Sequence, residues 1–356
     1  MSDLVVSIAE IGLVDLPLVG GKGASLGEMV HLGLPVPPGC VVTTKAFLDA
    51  LTEIDPAGSR TATIERLDPL DRAAVERATS PLRAAIADCA LPSALESELL
   101  EHYRRLGDGR PTDRGQSPVA VRSSATGEDS LDASFAGLQD TFLWVRGEDA
   151  LLERLRACWA SLYSVESVCY RLQRGISEEG AAMAVVVQVM VEARSAGVMF
   201  TRSPSTGDRS VVAVESAWGL GSAVVGGEVT PDSFTVSKVT GEILRRRVSE
   251  KLLRHIPDGA QGGRVVEVEV PPELRSVASL TDEELSDLVA LGQTIEAHYG
   301  VPQDVEWALA VDRSQGKGLY LLQSRPETAW SNRTTEPIAA PKSRAFDHVI
   351  EALGGA

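Results

Sequence analysis

The C-terminal part of the sequence contains two apolar segments with a polar turn between them. They read DVEWALAV (residues 304–311), DRSQGKG (residues 312–318) and LYLLQ (residues 319–323). Apolar and polar residues alternate in the first segment, which is typical of a strand with one buried face, and the turn residues favour a β-hairpin. The alternation places four side chains on the buried face: Val305, Trp307, Leu309 and Val311.

The opposite face of this hairpin carries Asp304 and Glu306. If the turn centres between Ser314 and Gln315, Glu306 lies opposite Gln323 and Asp304 lies opposite Arg325. Facing residues of a strand pair are about 5 Å apart at Cβ. A carboxylate and an amide oxygen that close can share one Mg²⁺ ion, which prefers oxygen ligands and a nucleotide phosphate. The alternatives are an ordinary hairpin with a polar solvent face, and a register shifted by two residues.

A glycine-rich segment near the N-terminus, GGKG (residues 20–23), precedes ASLGEMV (residues 24–30). The pattern predicts a loop entering a short helix, where backbone N–H groups can approach an anion. Lys22 would supply a positive charge for a phosphate group. This is not the Walker pattern, which needs a Ser or Thr directly after the lysine. The alternative is a tight turn with an exposed lysine.

Arg122 leaves a predicted strand, residues 119–122, into a segment rich in Ser, Thr and Gly that continues to residue 141. A planar guanidinium group beside hydroxyl and amide donors suits a polyphosphate that must be shielded from water. The alternative is a solvated polar loop. The glycine-containing segment at residues 215–221 could also cover a ligand, although such turns after strands are common.

The pattern of apolar residues changes from helical spacing to strand-like alternation near residue 180. Before it, apolar residues at helical spacing over residues 148–174 predict one long amphipathic helix. After it, β-branched and alternating segments predict strands at residues 184–191, 197–201, 211–215, 233–238, 242–247 and 264–270. Thr281 and Glu284 form a capping box that begins a helix ending at Tyr299.

We therefore expect three parts. They are an N-terminal α/β subdomain with the phosphate-binding segments (residues 1–180), a second subdomain with the hairpin (residues 181–328), and a C-terminal tail or docking segment (residues 329–356).

Composition indicates a globular protein that binds no nucleic acid. The 356 residues are 44% hydrophobic, enough for a substantial core, and a formal net charge of −16 disfavours contact with a phosphate backbone. No apolar run is long enough to span a membrane, and the N-terminus resembles no secretion signal, so we expect a cytoplasmic protein without membrane contact. The cysteines lack CxxC spacing, which predicts reduced core thiols: Cys40, Cys89, Cys158 and Cys169.

Six segments, taken in order, resemble the N-terminal ATP-binding region of phosphoenolpyruvate synthase, pyruvate phosphate dikinase and rifampicin phosphotransferase. They are GKGASLGEM (residues 21–29), VRSSA (residues 121–125), SFAG (residues 134–137), GVMFT (residues 197–201), VTPD (residues 229–232) and LQSRP (residues 322–326). The resemblance covers about residues 10–328. Six motifs in one order are far more specific than any one of them.

The resemblance implies an α+β, ATP-grasp-type fold of two subdomains, with the nucleotide cleft between them and Mg-ATP as the ligand. The implied catalytic, phosphate-binding residues are Lys22, Arg122 and Arg325. The implied nucleotide contacts are Gly137 and Thr141 in a covering loop and Gln188 at the adenine side. The implied Mg²⁺ ligands are Glu306 and Gln323, with Asp304 as an additional ligand. The hairpin pairing leads to Glu306, Gln323 and Arg325 independently.

In this family ATP pyrophosphorylates a histidine on a separate swivelling domain, AMP leaves, and the remaining phosphoryl group moves to an acceptor. The histidines of this chain all lie outside the Gly-rich, Ser-preceded kind of loop that marks such a carrier: His31, His102, His255, His298 and His348. We expect an ATP-binding subunit acting with a partner subunit that carries the histidine and the acceptor site, similar to phenylphosphate synthase with phenol as acceptor.

Two alternatives stay open. One is a stand-alone ATP-binding domain of a phosphoenolpyruvate synthase or rifampicin-type phosphotransferase, and the other is a non-catalytic nucleotide-binding or sensing module. The sequence also departs from the family pattern in GLGSAVV (residues 219–225), where Ser222 stands in place of a common glutamate. That departure puts a carboxylate role for this segment in doubt.

Overall fold

A computed structural model describes residues 3–106, 117–126, 140–178, 180–258, 263–312, 318–328 and 330. Gly137 and the predicted tail at residues 329–356, apart from Trp330, lie outside this range. The described helices are α1 (Leu16–His31), α2 (Thr44–Ile54), α3 (Ser59–Ile64), α4 (Arg72–Ala87), α5 (Ser93–Leu106), α6 (Glu148–Ser161), α7 (Val165–Arg174), α8 (Ser222–Val225) and α9 (Asp282–Tyr299). Within the described residues, no helix combines the length and apolarity needed to cross a membrane.

The described strands form two larger sheets and a separate hairpin. They are β1 (Val5–Ser7), β2 (Gly39–Val42), β3 (Val119–Ala125), β4 (Thr141–Val145), β5 (Met183–Val189), β6 (Ala193–Phe200), β7 (Val211–Trp218), β8 (Asp232–Ser237), β9 (Ile243–Arg247), β10 (Leu253–Pro257), β11 (Val265–Glu269), β12 (Gln303–Ala310) and β13 (Leu319–Pro326). The strands β10 and β11 pair only with each other among the described residues.

The first sheet is antiparallel, with the strand order β1-β2-β5-β3-β4. Every residue of its central strand β5 is buried, because helices pack against the sheet. Phe47 of α2 and Trp159 of α6 meet edge to face in this core, with ring centroids 5.8 Å apart. Three cysteines lie in the same core as free thiols, as predicted: Cys40, Cys158 and Cys169.

The second sheet is also antiparallel, with the order β13-β12-β6-β7-β8-β9. Its core includes Met199, Phe234 and Trp307 from the strands and Leu288 from α9. Helix α1 contacts β5 of the first sheet and β13 of the second, so it joins the two sheets. The predicted α+β fold of two subdomains is confirmed, because each subdomain has its own antiparallel sheet and covering helices.

The chain passes from the first sheet to the second between β5 and β6. The strand predicted at residues 184–191 therefore belongs to the first sheet, and the division at residue 180 stays a prediction. The sequence missed β1, β4 and β10, which are only three to five residues long. The predicted burial of Val311 is wrong: this side chain is 60% exposed, because β12 ends at Ala310 and the buried face ends with it.

The prediction of one helix over residues 148–174 is also wrong. Helical structure stops after α6, and the backbone of Ser164 is extended. The Ser164 hydroxyl accepts a hydrogen bond from the Ser167 N–H at 3.2 Å. That contact caps the beginning of α7. The apolar spacing continues across the break and so conceals it. The capping box at Thr281 and Glu284 is confirmed at the beginning of α9.

The glycine-rich segment at residues 20–23 lies within α1 and is not the predicted loop. Helical geometry is interrupted at Gly20, where φ is 68° and ψ is 175°. The Ser124 hydroxyl accepts a hydrogen bond from the Gly23 N–H at 3.1 Å and donates one to the Val19 carbonyl at 2.8 Å. A side chain on β3 thus satisfies backbone groups on both sides of the break.

Gly20 is a position where we expect substitution to be costly. A Cβ atom there would lie 2.0 Å from the Ser124 carbonyl oxygen, whereas Gly33 has a similar φ of +72° and nothing within 4 Å of such an atom. We expect Gly20→Ala to lower the free energy of unfolding by about 2 kcal/mol more than Gly33→Ala does. Urea unfolding of both variants measures this difference. Equal losses would show that backbone conformation alone makes glycine necessary.

A fully buried ion pair lies beside the second sheet. Asp232 of β8 and Lys251 both have 0% side-chain exposure, with Oδ1 and Nζ 2.6 Å apart. Asp232 Oδ1 also accepts a hydrogen bond from the Ser249 N–H at 2.9 Å. Its Oδ2 accepts bonds from both the N–H and the hydroxyl of Ser279, each at 2.8 Å. The aspartate of the VTPD segment therefore holds two loops against β8.

Candidate functional site

A cavity of about 310 Å³ lies between the two sheets. One wall comes from β3, β4 and β5, and the other comes from β6, β12, β13 and the segment around α8. The apolar lining residues include Ala120, Leu143, Met190, Leu220 and Leu322. The polar lining residues include Arg122, Thr141, Gln188, Ser222 and Glu306. A mostly apolar cleft with a few converging polar groups is typical of a small-molecule site.

Arg122 connects the two walls of this cavity. Its side chain is only 10% exposed and extends from β3 to the hairpin of β12 and β13. The Nη2 group donates to Glu306 Oε2 at 2.9 Å and to Gln323 Oε1 at 2.5 Å, while Nη1 donates to the Leu322 carbonyl at 2.8 Å. A buried cation needs such partners, and here all of them belong to the opposite sheet.

The hairpin has the predicted pairing at its polar end. Glu306 faces Gln323 and Asp304 faces Arg325, which confirms the register on this side. A β-bulge follows between Glu306 and Trp307, and the pairing beyond it is shifted by one residue from the predicted one. Bulges next to functional sites re-aim side chains, and this bulge separates the polar end of the hairpin from its apolar end.

A second cavity of about 260 Å³ shares Glu306 with the first. The charged and amide side chains that line it are Glu215, Asp304, Glu306, Gln323 and Arg325. Glu215 was not predicted from the sequence. It lies on β7 opposite Val198 of β6, and burial raises the pKa of its carboxyl group. Glu215 is the first residue of the glycine-containing segment at residues 215–221, and this position was the only available signal.

The Asp304 carboxylate is largely removed from solvent, with its side chain 19% exposed. Burial raises its pKa to about 6, although the Arg325 guanidinium acts in the opposite direction. Asp304 Oδ2 lies 3.6 Å from Arg325 Nε, whereas its Oδ1 is buried and accepts no hydrogen bond from the residues that the structure describes. A buried acceptor without a donor is costly. Oxygen atoms from Asp304, Glu306 and Gln323 form the kind of ligand set that Mg²⁺ prefers, so these residues fit that ion.

The other predicted site residues lie in different surroundings. Gln188 is 2% exposed, lines the apolar part of the first cavity, and donates from Nε2 to the Pro37 carbonyl at 3.2 Å. Thr141 lies at the beginning of β4 and lines the same cavity. Lys22 is buried on α1, and the described walls of the two cavities do not include it. Gly137 lies outside the described residues.

Asp304→Asn is expected to stabilise the ligand-free chain at pH 8. A carboxyl group with a pKa of about 6 in the folded chain and about 3.9 in the unfolded chain makes the folded chain bind more protons between these values. Stability then falls as the pH rises through that interval. We expect the variant to gain about 1–2 kcal/mol at pH 8 and nothing at pH 4. Urea unfolding at both pH values tests this, and an equal gain at pH 4 would contradict it.

The sequence is similar to several phosphoenolpyruvate synthases. It is 41% identical over 354 residues to a probable phosphoenolpyruvate synthase of Methanothermobacter thermautotrophicus, covering 99% of this chain and 50% of that protein. It is 40% identical over 364 residues to the phosphoenolpyruvate synthase of Aeropyrum pernix, covering 95% and 44%. The match to the probable enzyme of Archaeoglobus fulgidus is 40% over 352 residues, covering 99% and 44%. The chain thus spans about half the length, or less, of these relatives.

Among solved structures, D-alanyl-alanine synthetase A from Vibrio cholerae matches 86% of this chain and 58% of its own, at 11% identity and a TM-score of 0.27. The sequence relatives favour the phosphoenolpyruvate synthase alternative over the phenylphosphate synthase type. The family model for the pyruvate phosphate dikinase AMP/ATP-binding domain matches residues 16–345. The chain therefore belongs to the pyruvate phosphate dikinase AMP/ATP-binding domain family.

Proposed function

We propose that this chain binds Mg-ATP between its two sheets and pyrophosphorylates a histidine on a separate domain or partner subunit, as the ATP-using part of a phosphoenolpyruvate synthase-type dikinase. The contact of Arg122 with Glu306 and Gln323 across the cleft carries the proposal. It combines a phosphate-binding cation with oxygen ligands for a metal ion in one place. The relatives named phosphoenolpyruvate synthase support pyruvate, rather than phenol, as the acceptor.

The linings of the two cavities suit the two ends of a nucleotide. The apolar part of the first cavity, with Met190, Leu220 and Leu322, would hold the adenine base, and the Gln188 amide at its edge would fix the orientation of the base. The polyphosphate would then extend towards Arg122 and the second cavity, where Arg325 supplies another guanidinium group. Both guanidinium groups can bind phosphate oxygens through paired N–H donors.

Nucleotide binding would change the partners of Arg122. Without a nucleotide, its guanidinium uses the oxygen atoms of Glu306 and Gln323 as acceptors. A metal ion and a guanidinium group repel each other, so a metal ion bound at those oxygen atoms would weaken their hydrogen bonds to Arg122. We expect the phosphate to become the new acceptor for Arg122, which releases the Glu306 and Gln323 oxygen atoms. When bound there, Mg²⁺ would neutralise charge on the phosphate oxygens.

The proposed transfer needs little covalent chemistry from this chain. A histidine nitrogen attacks the β-phosphorus of ATP, and the bond from that phosphorus to the oxygen bridging the α- and β-phosphates breaks. AMP leaves with that oxygen and its electron pair, and the imidazole releases its proton to solvent. Arg122 and Arg325 would hold the phosphates in line and stabilise their negative charge, which is the main requirement of phosphoryl transfer.

The test combines the chain with the histidine-bearing part of a phosphoenolpyruvate synthase and measures AMP formed from ATP. We expect continued AMP formation to require Mg²⁺ and also pyruvate, because the acceptor frees the histidine for the next turnover, and to fall by about 100-fold in Arg122→Gln. Arg246→Gln is the matched control, since Arg246 is exposed and forms a surface ion pair with Asp282. This control should retain full activity.

Two outcomes would overturn the proposal. AMP formation with phenol but not with pyruvate would assign the chain to the phenylphosphate synthase type. If calorimetry shows Mg-ATP binding but no AMP forms from ATP with either acceptor, the chain would be a non-catalytic nucleotide-binding module. The two outcomes differ in whether AMP forms. Both are measured on the unmodified chain, so neither depends on whether a variant folds.

A further inference from the structure

Three potential metal ligands meet outside the nucleotide site. They are Glu228 in the segment after α8, His255 on β10 and Glu267 on β11, and their ligand atoms all lie within 4.8 Å of one another. His255 faces Glu267 directly in the β10–β11 ladder, so the hairpin fixes two of the three positions. A mixed set of one imidazole and two carboxylates differs from an ordinary group of surface acids, because imidazole nitrogen favours transition-metal cations.

The imidazole ring of His255 is held in the orientation that a metal ligand needs. Its Nδ1 lies 2.8 Å from the Ser222 hydroxyl oxygen, and its Nε2 lies 3.2 Å from Glu228 Oε2. The side chain is only 13% exposed. If Nδ1–H donates to Ser222, the lone pair of Nε2 is available on the side of the Glu228 carboxylate. Metal-bound histidines commonly use their second nitrogen in this way.

One ligand–ligand distance, that between His255 and Glu228, also fits a small tetrahedral ion. Zinc binds imidazole nitrogen and carboxylate oxygen at about 2.0–2.2 Å, which places two ligand atoms of a tetrahedron about 3.3 Å apart. The 3.2 Å separation of His255 Nε2 and Glu228 Oε2 is close to that value. Arg264, which precedes β11, is engaged by Asp258 Oδ2 at 2.8 Å, so its charge is already partnered.

We propose that Glu228, His255 and Glu267 bind one Zn²⁺-like divalent cation, with water as a fourth ligand. The site is distinct from the proposed Mg-ATP site and does not depend on it. The metal site lies next to the nucleotide cavity. Ser222 lines that cavity, and the His255 carbonyl accepts a hydrogen bond from the Leu220 N–H at 2.9 Å. The bound cation would fasten the β10–β11 hairpin to the segment that borders the cleft.

The test uses the tag-free full chain without nucleotide, in millimolar Mg²⁺ to occupy oxygen-ligand sites. Calorimetric titration with Zn²⁺ alone should show one tight site. Titration with Co²⁺ should produce the strong visible absorption of tetrahedral cobalt, and Zn²⁺ should abolish it. An absence of Zn²⁺ binding by the unmodified chain would overturn the proposal.

Variants locate the site. His255→Gln and Glu267→Gln should each weaken Zn²⁺ binding by about 100-fold, and Ser222→Ala should weaken it by about tenfold, as expected when the hydrogen bond that orients a ligand is lost. Glu269→Gln is the matched control on β11, since Glu269 is 88% exposed and pairs with Arg275. Glu306→Gln controls for the nucleotide cleft. Unchanged Zn²⁺ affinity in the His255 and Glu267 variants, or its loss in Glu306→Gln, would place the ion elsewhere and overturn the assignment.

Discussion

Replacement of Glu306 by glutamine is expected to slow the formation of AMP from ATP by about 100- to 1000-fold. The Glu306 carboxylate faces Gln323, accepts a hydrogen bond from Arg122, and lines both cavities. The substitution keeps the shape of the side chain but removes the charge that a metal ion needs. It also leaves Arg122 with fewer anionic partners, so Mg-ATP affinity and the rate of transfer should both fall.

The fold should survive this substitution. Arg122 keeps its hydrogen bonds to Gln323 and to the Leu322 carbonyl, and the Glu306 side chain is 35% exposed. Calorimetry with Mg-ATP and the AMP assay would measure function, and urea unfolding would measure stability. Glu269→Gln is the matched control at a surface ion pair. Undiminished affinity together with normal AMP formation in Glu306→Gln would remove this residue from the site.

The hairpin was predictable from sequence because its information is local. Alternation over residues 304–309 fixes which face is buried, and a short turn fixes the register to within one residue. The pairing of Glu306 with Gln323 followed from these two facts alone. The bulge after Glu306 did not, because a bulge depends on how the strand fits its neighbours on both sides.

Long-range contacts explain the main errors. Three glycines within four residues favour a loop over a helix, yet residues 20–23 lie within α1. The compensation comes from Ser124, whose hydroxyl satisfies the backbone around the break from a distant strand. A local pattern could not show that contact. The prediction that Lys22 borders the nucleotide depended on the same loop, and it stays a prediction.

Glu215 was missed for a similar reason. Its position on β7 was predicted, but its approach to Asp304 depends on the strand order of the second sheet, in which β6 lies between β7 and β12. Arg122 belongs to the first sheet, and the acidic side chains of the second cavity belong to the second sheet. Residue types could therefore suggest the members of the site, whereas the arrangement of the two sheets decides which members meet.

The largest loss of stability is expected from Asp232→Asn. This change leaves the Lys251 ammonium group, which is 0% exposed, without a compensating charge. Breaking a buried ion pair by removing one partner typically costs about 3–5 kcal/mol. The Asp232 carboxylate also accepts hydrogen bonds from Ser249 and Ser279, so the two loops that it holds should loosen together. Urea unfolding should show the loss of free energy.

The exposed pair of Lys45 and Asp49 provides the matched control. Both side chains are more than half exposed, so Asp49→Asn should change the free energy of unfolding by less than about 1 kcal/mol. A double variant, Asp232→Asn with Lys251→Met, should be less destabilised than the sum of the single variants, because removing the ammonium group removes the uncompensated charge. Strict additivity would mean that the hydrogen bonds of Asp232, and not its charge, hold the loops in place.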